Sequence, residues 1–128
     1  MHGELYHCID TLVAVAPATI NSDTTTAGII LDTQGYDACD LSLFTGAVTA
    51  GDVTLSANES NDSGMSGATA VSGDFLVGGL DAVSTANTVD QCGLVLTKRY
   101  LQVSITSANS ANLVAGALVV LKKNIKGK

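Results

Sequence analysis

Apolar and polar residues alternate along three stretches of the chain, and a period of two is typical of a β-strand with one buried face. In residues 39–44, Leu41 and Leu43 alternate with polar residues, and the same period recurs in residues 52–58 and 99–106. We therefore expect three half-buried strands, and the core-facing residues of the second and third are Val53, Leu55, Ala57, Leu101, Val103 and Ile105.

Residues 112–123 differ because their apolar residues follow one another almost without a break. A continuous run is typical of a strand covered on both faces, and we expect Gly116 to mark a bulge in it. A helix is the alternative, because several residues of the run also share a helical face. The valine content and the neighbouring asparagine and threonine residues favour the strand.

Glycine and small polar residues mark the connections between the strands. Residues 46–52 have glycine near both ends and predict a hairpin, and residues 58–68 and 104–112 have the composition of turns. Further short strands are predicted at 12–16, 28–32 and 92–97. The pattern as a whole predicts an all-β fold, a β-sandwich or jelly roll of about seven or eight short antiparallel strands.

The length of 128 residues fits one domain. Pro17 and the polar, β-branched stretch 21–28 oppose a helix near the start of the chain. We therefore divide the chain into an extended N-terminal arm (1–27), a β-sandwich domain (28–123) and a basic C-terminal tail (124–128).

Composition excludes several classes of partner. The formal net charge is −6, which argues against nucleic acid, and aromatic residues make up only 4%, which argues against a stacking platform for sugars or single strands. The first ten residues lack a basic leader with an apolar core, so no signal peptide is expected. The longest apolar run, 113–121, is too short to span a bilayer, so we expect no membrane association and synthesis in the cytoplasm.

The search for reactive groups predicts no catalytic, cofactor-binding or metal-binding residue. The two histidines, His2 and His7, both lie in the arm, away from any nucleophile on the sandwich. Residues 64–68 miss the G-x-S-x-G motif because Ala68 replaces its last glycine, and the acidic loop 59–70 misses a calcium motif because Ala70 replaces the closing glutamate. Three cysteines without a CxxC pair indicate mostly buried thiols: Cys8, Cys39 and Cys92. We expect the chain not to be an enzyme and to bind no cofactor.

Charges are segregated along the chain. All twelve acidic residues precede Lys98, which is the first basic residue. Arg99 follows it, and the remaining four bases lie near the C-terminus: Lys122, Lys123, Lys126 and Lys128.

Several motifs resemble those of a known family. An Asp-Thr-x-Gly-Tyr motif (Asp32 to Tyr36) is followed by an alternating strand, a glycine-rich connection, an acidic segment (Glu59 to Ser63) and a Lys-Arg-Tyr strand (Lys98 to Tyr100). In this order they resemble the small cement or decoration proteins of tailed bacteriophage heads, over roughly residues 12–122. The chain departs from many relatives at 63–68 and 91–96, where those have an aromatic residue and a Gly-Tyr pair.

The resemblance implies a jelly-roll protein on the exterior of the phage head. It implies a structural virion protein that binds the outer surface of the capsid and stabilises contacts between copies of the major capsid protein. It further implies a homo-oligomer, a dimer or trimer, and no catalytic residue.

Combining this with the charge pattern, we predict that the basic end of the domain touches the capsid. The predicted contact residues are Lys98, Arg99, Tyr100, Lys122, Lys123 and Lys126. In the alternative reading the C-terminal lysines are a solvated tail and Arg99 pairs with a nearby acid. The alternative function is a tail-associated or host-surface β-sandwich module that binds glycans, and a hydrolase is disfavoured by the histidine inventory.

Overall fold

The computed structural model describes residues 8–73, 76–77 and 80–123, and this part of the chain is all-β with no α-helix. Every strand pairing is antiparallel, as expected for a β-sandwich or jelly roll. The strands are β1 (Ile9–Ile20), β2 (Thr25–Asp32), β3 (Tyr36–Ser60), β4 (Thr69–Ala70), β5 (Leu76–Val77), β6 (Val89–Val95) and β7 (Tyr100–Lys123).

Two long strands, β3 and β7, form the centre of the molecule. They contain 25 and 24 residues and pair along almost their whole length, from Tyr36↔Lys123 to Ser60↔Tyr100. The expectation of short strands is therefore wrong for these two. The predicted hairpin at 46–52 is also wrong, because these residues are a bend with shifts of register inside β3, which stays paired with β7 on both sides of it, and not a loop between two strands that pair with each other.

Strand β7 doubles back on itself. Its first residue, Tyr100, pairs with Asp32, and its last, Lys123, pairs with Tyr36. A straight strand of this length would span about 80 Å, whereas the four-residue step from Asp32 to Tyr36 covers at most about 14 Å. The reversal lies near Asn109 and Ser110, both of which have positive φ, so the turn-rich composition of 104–112 marks a bend within one strand.

The bend divides the strands into two layers. The first sheet contains β1, the second half of β7, the first half of β3, β6 and β5, and the second sheet contains β2, the first half of β7, the second half of β3 and β4. The inward side chains of both sheets form one core cluster, including Leu41, Leu43, Val53, Leu55, Leu101, Val103, Ile105, Val119 and Leu121. The predicted alternation is therefore confirmed in all three half-buried strands.

Part of the predicted arm belongs to the first sheet. Residues 9–20 form the edge strand β1, which pairs with β7 from Ile9↔Lys122 to Ile20↔Leu113. The expected bulge lies in β1 and not at Gly116, whose pairing with Phe44 on β3 is regular. A Cβ at Gly116 would lie 2.9 Å from Pro17 Cα, so the glycine is needed where the bulged backbone of β1 approaches β7.

Candidate functional site

The fold brings the predicted basic residues to one end of the sandwich. Because β7 doubles back, Lys98 and Arg99 before its start lie close to Lys122 and Lys123 at its end. The turn after Asp32 connects the start of β7 to its end. Thr33 N donates to Arg99 O at 2.8 Å, and Tyr36 pairs with Lys123. We call this region the basic end. Lys126 lies outside the described residues.

Arg99 is bound to an acid of the same chain. Its Nε and Nη2 donate to the two carboxylate oxygens of Asp32 at 3.0 and 2.9 Å, and its guanidinium lies 5.1 Å from the centre of the Tyr100 ring. Hydrogen bonding from Arg99, and next from Gln34 N–H, holds the pKa of Asp32 below its ordinary value. The local ion pair considered for Arg99 is therefore present.

The lysines at the end of β7 also lie beside acids. Lys122 Nζ is 3.4 Å from Asp37 Oδ1, and Lys123 Nζ is 3.9 Å from Asp10 Oδ1. Tyr36 donates its hydroxyl to Asp10, and this bond raises the pKa of the tyrosine. Lys98 Nζ contacts only a hydroxyl, Thr69 Oγ1 at 3.5 Å. Within the described residues, Lys98 is thus the basic side chain without a carboxylate partner.

The three motifs of the family resemblance converge at this same end. The buried Thr33 donates its hydroxyl to Arg99 O at 2.5 Å. Thr97 donates to the buried Glu59 carboxylate at 2.7 Å, and Arg99 N donates to Asn61 Oδ1 at 3.3 Å. Segments separated by up to 67 residues in the sequence therefore form one hydrogen-bonded cluster.

The acidic loop after β3 is a hydrogen-bonded turn. The Asp62 carboxylate accepts from Gly64 N at 2.8 Å and from Ser66 N at 3.2 Å. Ser60 donates its hydroxyl to Ser66 O at 2.7 Å. Asp62 is therefore used to close the loop on itself, as an Asx-type turn does.

The described residues show no cluster of three or more metal-ligating side chains, and the two histidines, His2 and His7, lie outside them. No helix in the described part of the chain is long and apolar enough to cross a membrane. Burial, followed by the nearby Asp40 and Cys92, raises the pKa of Cys39 to about 12, so this thiol is a poor nucleophile.

The outward faces of the two sheets differ in chemistry. On β3 and β7 of the second sheet the outward side chains are hydroxyls and amides: Thr54, Ser56, Asn58, Gln102, Ser104 and Thr106. We call this the polar outer face. The outer strand β2 of this sheet exposes Ile29 and Ile30. On the first sheet the outward side chains are mostly apolar, and those defining what we call the apolar outer face are Val13, Phe44, Val89, Val95, Leu118 and Val120.

Much of the apolar outer face is open to solvent. Val89, Val13 and Val95 are 61%, 48% and 44% exposed. A shallow depression of about 280 Å³ lies at one end of this face and is lined by Ile9, Ala38, Cys39, Asp40, Val120 and Lys122. The continuous apolar run at 112–123 predicted a strand covered on both faces, and it is the sequence signal that marks this surface.

Comparison with known proteins supports the fold. No protein-family model matches the sequence, and no curated protein matches it either. Among solved structures, the chain is similar to the SPBc2 prophage-derived protein YomS, with 12% identity and a TM-score of 0.51 over 88% of this chain and 93% of that one. At this identity the similarity concerns the fold alone.

A weaker match, with a TM-score of 0.47 and 12% identity, is to the structure of infectious bursal disease virus Gx strain, covering 92% of this chain and 33% of that one. With so low a TM-score, this likeness has no bearing on fold or function.

Proposed function

We propose that this chain is a structural virion protein, a decoration or cement protein that binds the outer surface of a phage head. In that role it joins neighbouring copies of the major capsid protein, acts as a dimer or trimer, and performs no catalysis. YomS, whose fold the chain shares, is a prophage-derived protein, so the fold occurs among proteins of phage origin.

The observation that carries this proposal is the convergence of the family motifs. Asp32 and Thr33, Glu59 and Asn61, and Thr97 to Arg99 come from three distant segments, yet they bond to one another at the basic end. Three motifs that bond to one another in one structural unit support an architecture shared with the decoration proteins. Three short motifs taken separately would support it less well.

Capsid binding tests the proposal directly. Heads assembled without this protein are mixed with the purified chain, and the bound protein is measured after sedimentation of the heads. We expect saturable binding with a fixed number of copies per head. Absence of binding to heads, or binding to tails or to host-cell glycans instead, would contradict the proposal and favour the alternative module.

Removing residues 124–128 tests the contribution of the basic end. The deletion takes away two lysines. If the basic end meets acidic groups of the capsid, the shortened chain binds more weakly, and its affinity depends less on salt, because fewer charges are screened. Equal affinity and equal salt dependence would remove the electrostatic part of the proposal.

A further inference from the structure

The second half of β7 has an apolar face that the described part of the chain leaves uncovered. Its inward residues Ala115, Ala117 and Val119 are fully buried, whereas the outward Leu118 and Val120 are only half-buried. Strands that are apolar on both sides are normally covered on both sides. On the second sheet the two central strands are polar on the outside, and exposed apolar side chains are confined to the outer strand β2, at Ile29 and Ile30.

A single carboxylate lies within the apolar outer face and helps to define what covers it. Asp40 is opposite Val120 and accepts from Gln91 Nε2 at 3.0 Å and from Ser42 Oγ at 3.3 Å. It has no ion pair with any described residue. Covering this face would remove Asp40 from water, where a carboxylate needs an opposite charge. Lys122 lines the same depression but already lies 3.4 Å from Asp37, so a covering surface that brings a further cation complements the two carboxylates.

A second copy of this chain is poorly suited to supply that cation. Of its four described bases, Arg99, Lys122 and Lys123 already lie beside acids, and all four are at the basic end. A net charge of −6 on each copy also opposes the pairing of two copies through this face, so the proposed dimer or trimer would use another surface. The charge pattern therefore favours a partner of different sequence.

We infer that the apolar outer face is the surface through which this chain docks on another protein of the particle. That partner contributes apolar side chains, one of which fills the depression beside Ile9 and Val120, and a lysine or arginine that pairs with Asp40. The inference rests on the proposed function, because it adds a second capsid-binding surface to the predicted contact at the basic end.

Charge insertion on the two outer faces tests the inference. Val89→Asp and Val13→Asp place a carboxylate at the two borders of the apolar outer face, where the side chains are exposed and the free protein tolerates them. Ser56→Asp and Thr106→Asp add the same charge to exposed positions of the polar outer face. Affinity for heads assembled without the protein is measured for all four variants, and circular dichroism checks that each is folded.

We expect Val89→Asp and Val13→Asp to bind about tenfold more weakly or worse, because an unpaired charge is costly within an apolar interface. Ser56→Asp and Thr106→Asp should bind like the unmodified chain. Asp40→Asn should weaken binding, and Asp81→Asn, which makes the same change of charge away from this face, should not. The comparison of Asp40→Asn with Asp81→Asn tests for the partner's cation separately from the apolar contact.

Equal binding by the valine variants and the unmodified chain would overturn the inference and leave the proposed function standing. So would a dimer in light scattering that Val89→Asp dissociates, since the face would then belong to a second copy. If the unmodified chain binds no heads, the proposed function fails and the docking surface fails with it.

Discussion

Arg99 shows how a side chain predicted to meet a partner has a role inside the molecule. Its two bonds to Asp32 and its contact with the Tyr100 ring join the end of β2 to the start of β7. A capsid carboxylate that bound the same nitrogen atoms would have to displace Asp32. The main role of Arg99 is therefore to link β2 to β7 within the molecule. Lys98 is better placed to bind an anionic group of a partner.

The ion pair between Asp32 and Arg99 makes the free energy of unfolding depend on pH in a defined direction. The pKa of Asp32 is lowered below 3.8 in the folded protein, so its contribution to stability is present near neutral pH and is lost as the pH falls through the lowered pKa. We expect Asp32→Asn to unfold at a lower temperature than the unmodified chain at pH 7, with a difference that shrinks below about pH 3.8 and at high salt. Thermal unfolding followed by circular dichroism measures this.

Asp81→Asn is the matched control, because the exposed Asp81 makes no ion pair with any described residue. Its unfolding temperature should follow that of the unmodified chain at every pH. A difference for Asp32→Asn that stays constant from pH 7 down to strong acid would contradict the role given to the ion pair.

Single residues of the basic end could be identified from the sequence, but their partners could not. Lys98 and Arg99 are conspicuous because no base precedes them. Their contacts, Thr69 and Asp32, are 29 and 67 residues away along the chain. Such pairs depend on how the strands are arranged, which local pattern does not specify.

At the scale of elements, the sequence predicts two strands where the structure has the single strand β7. The reason is that residues 104–112, in the middle of β7, have the composition of a turn. Asn109 and Ser110 do adopt the positive φ typical of turns. The sequence therefore located the change of direction correctly. Distant residues contribute to this change of direction, because Asp23 accepts from Ser110 N and Ala111 N at 3.2 and 2.9 Å.

Asp23 should accordingly be important for stability. Asp23→Ala leaves the N–H groups of Ser110 and of the buried Ala111 without their acceptors, and we expect a loss of about 1–3 kcal/mol in the free energy of unfolding. Asp23→Asn keeps one acceptor oxygen and should lose less. Urea denaturation measures both variants, and an alanine variant as stable as the unmodified chain would show that water replaces the carboxylate.

At the scale of the whole molecule, the relative position of the two sheets depends on one close approach. Gly28 on β2 lies where β1 crosses it, and a Cβ at this position would be 2.1 Å from Ala14 O and 2.5 Å from Val103 O. The alternating pattern predicted both layers and their core. It contained no sign of this contact, because a glycine in a strand does not indicate which backbone lies against it.

Gly28→Ala tests whether the backbones of β1 and β2 lie this close together. Both neighbouring atoms belong to backbone, so the methyl group can be accommodated only if β2 moves away from β1 and from its neighbour β7, and we expect a loss of at least about 3 kcal/mol or failure to fold. Gly46→Ala is the control, because its Cβ would be in ordinary contact with Val114 at 3.5 Å. Urea denaturation should show the control within about 0.5 kcal/mol of the unmodified chain, and equal stability of the two variants would contradict the close approach.

The continuity of β3 and β7 through both layers has a mechanical consequence. In a sandwich assembled from separate strands, a force that separates the layers acts only against side-chain packing and the loops. Here the same two backbones run through both layers, so a pull on the first sheet is transmitted along covalent bonds to the second. Under such a pull the layers can open about the bend without breaking the pairing of β3 with β7, but they stay joined by both covalent backbones.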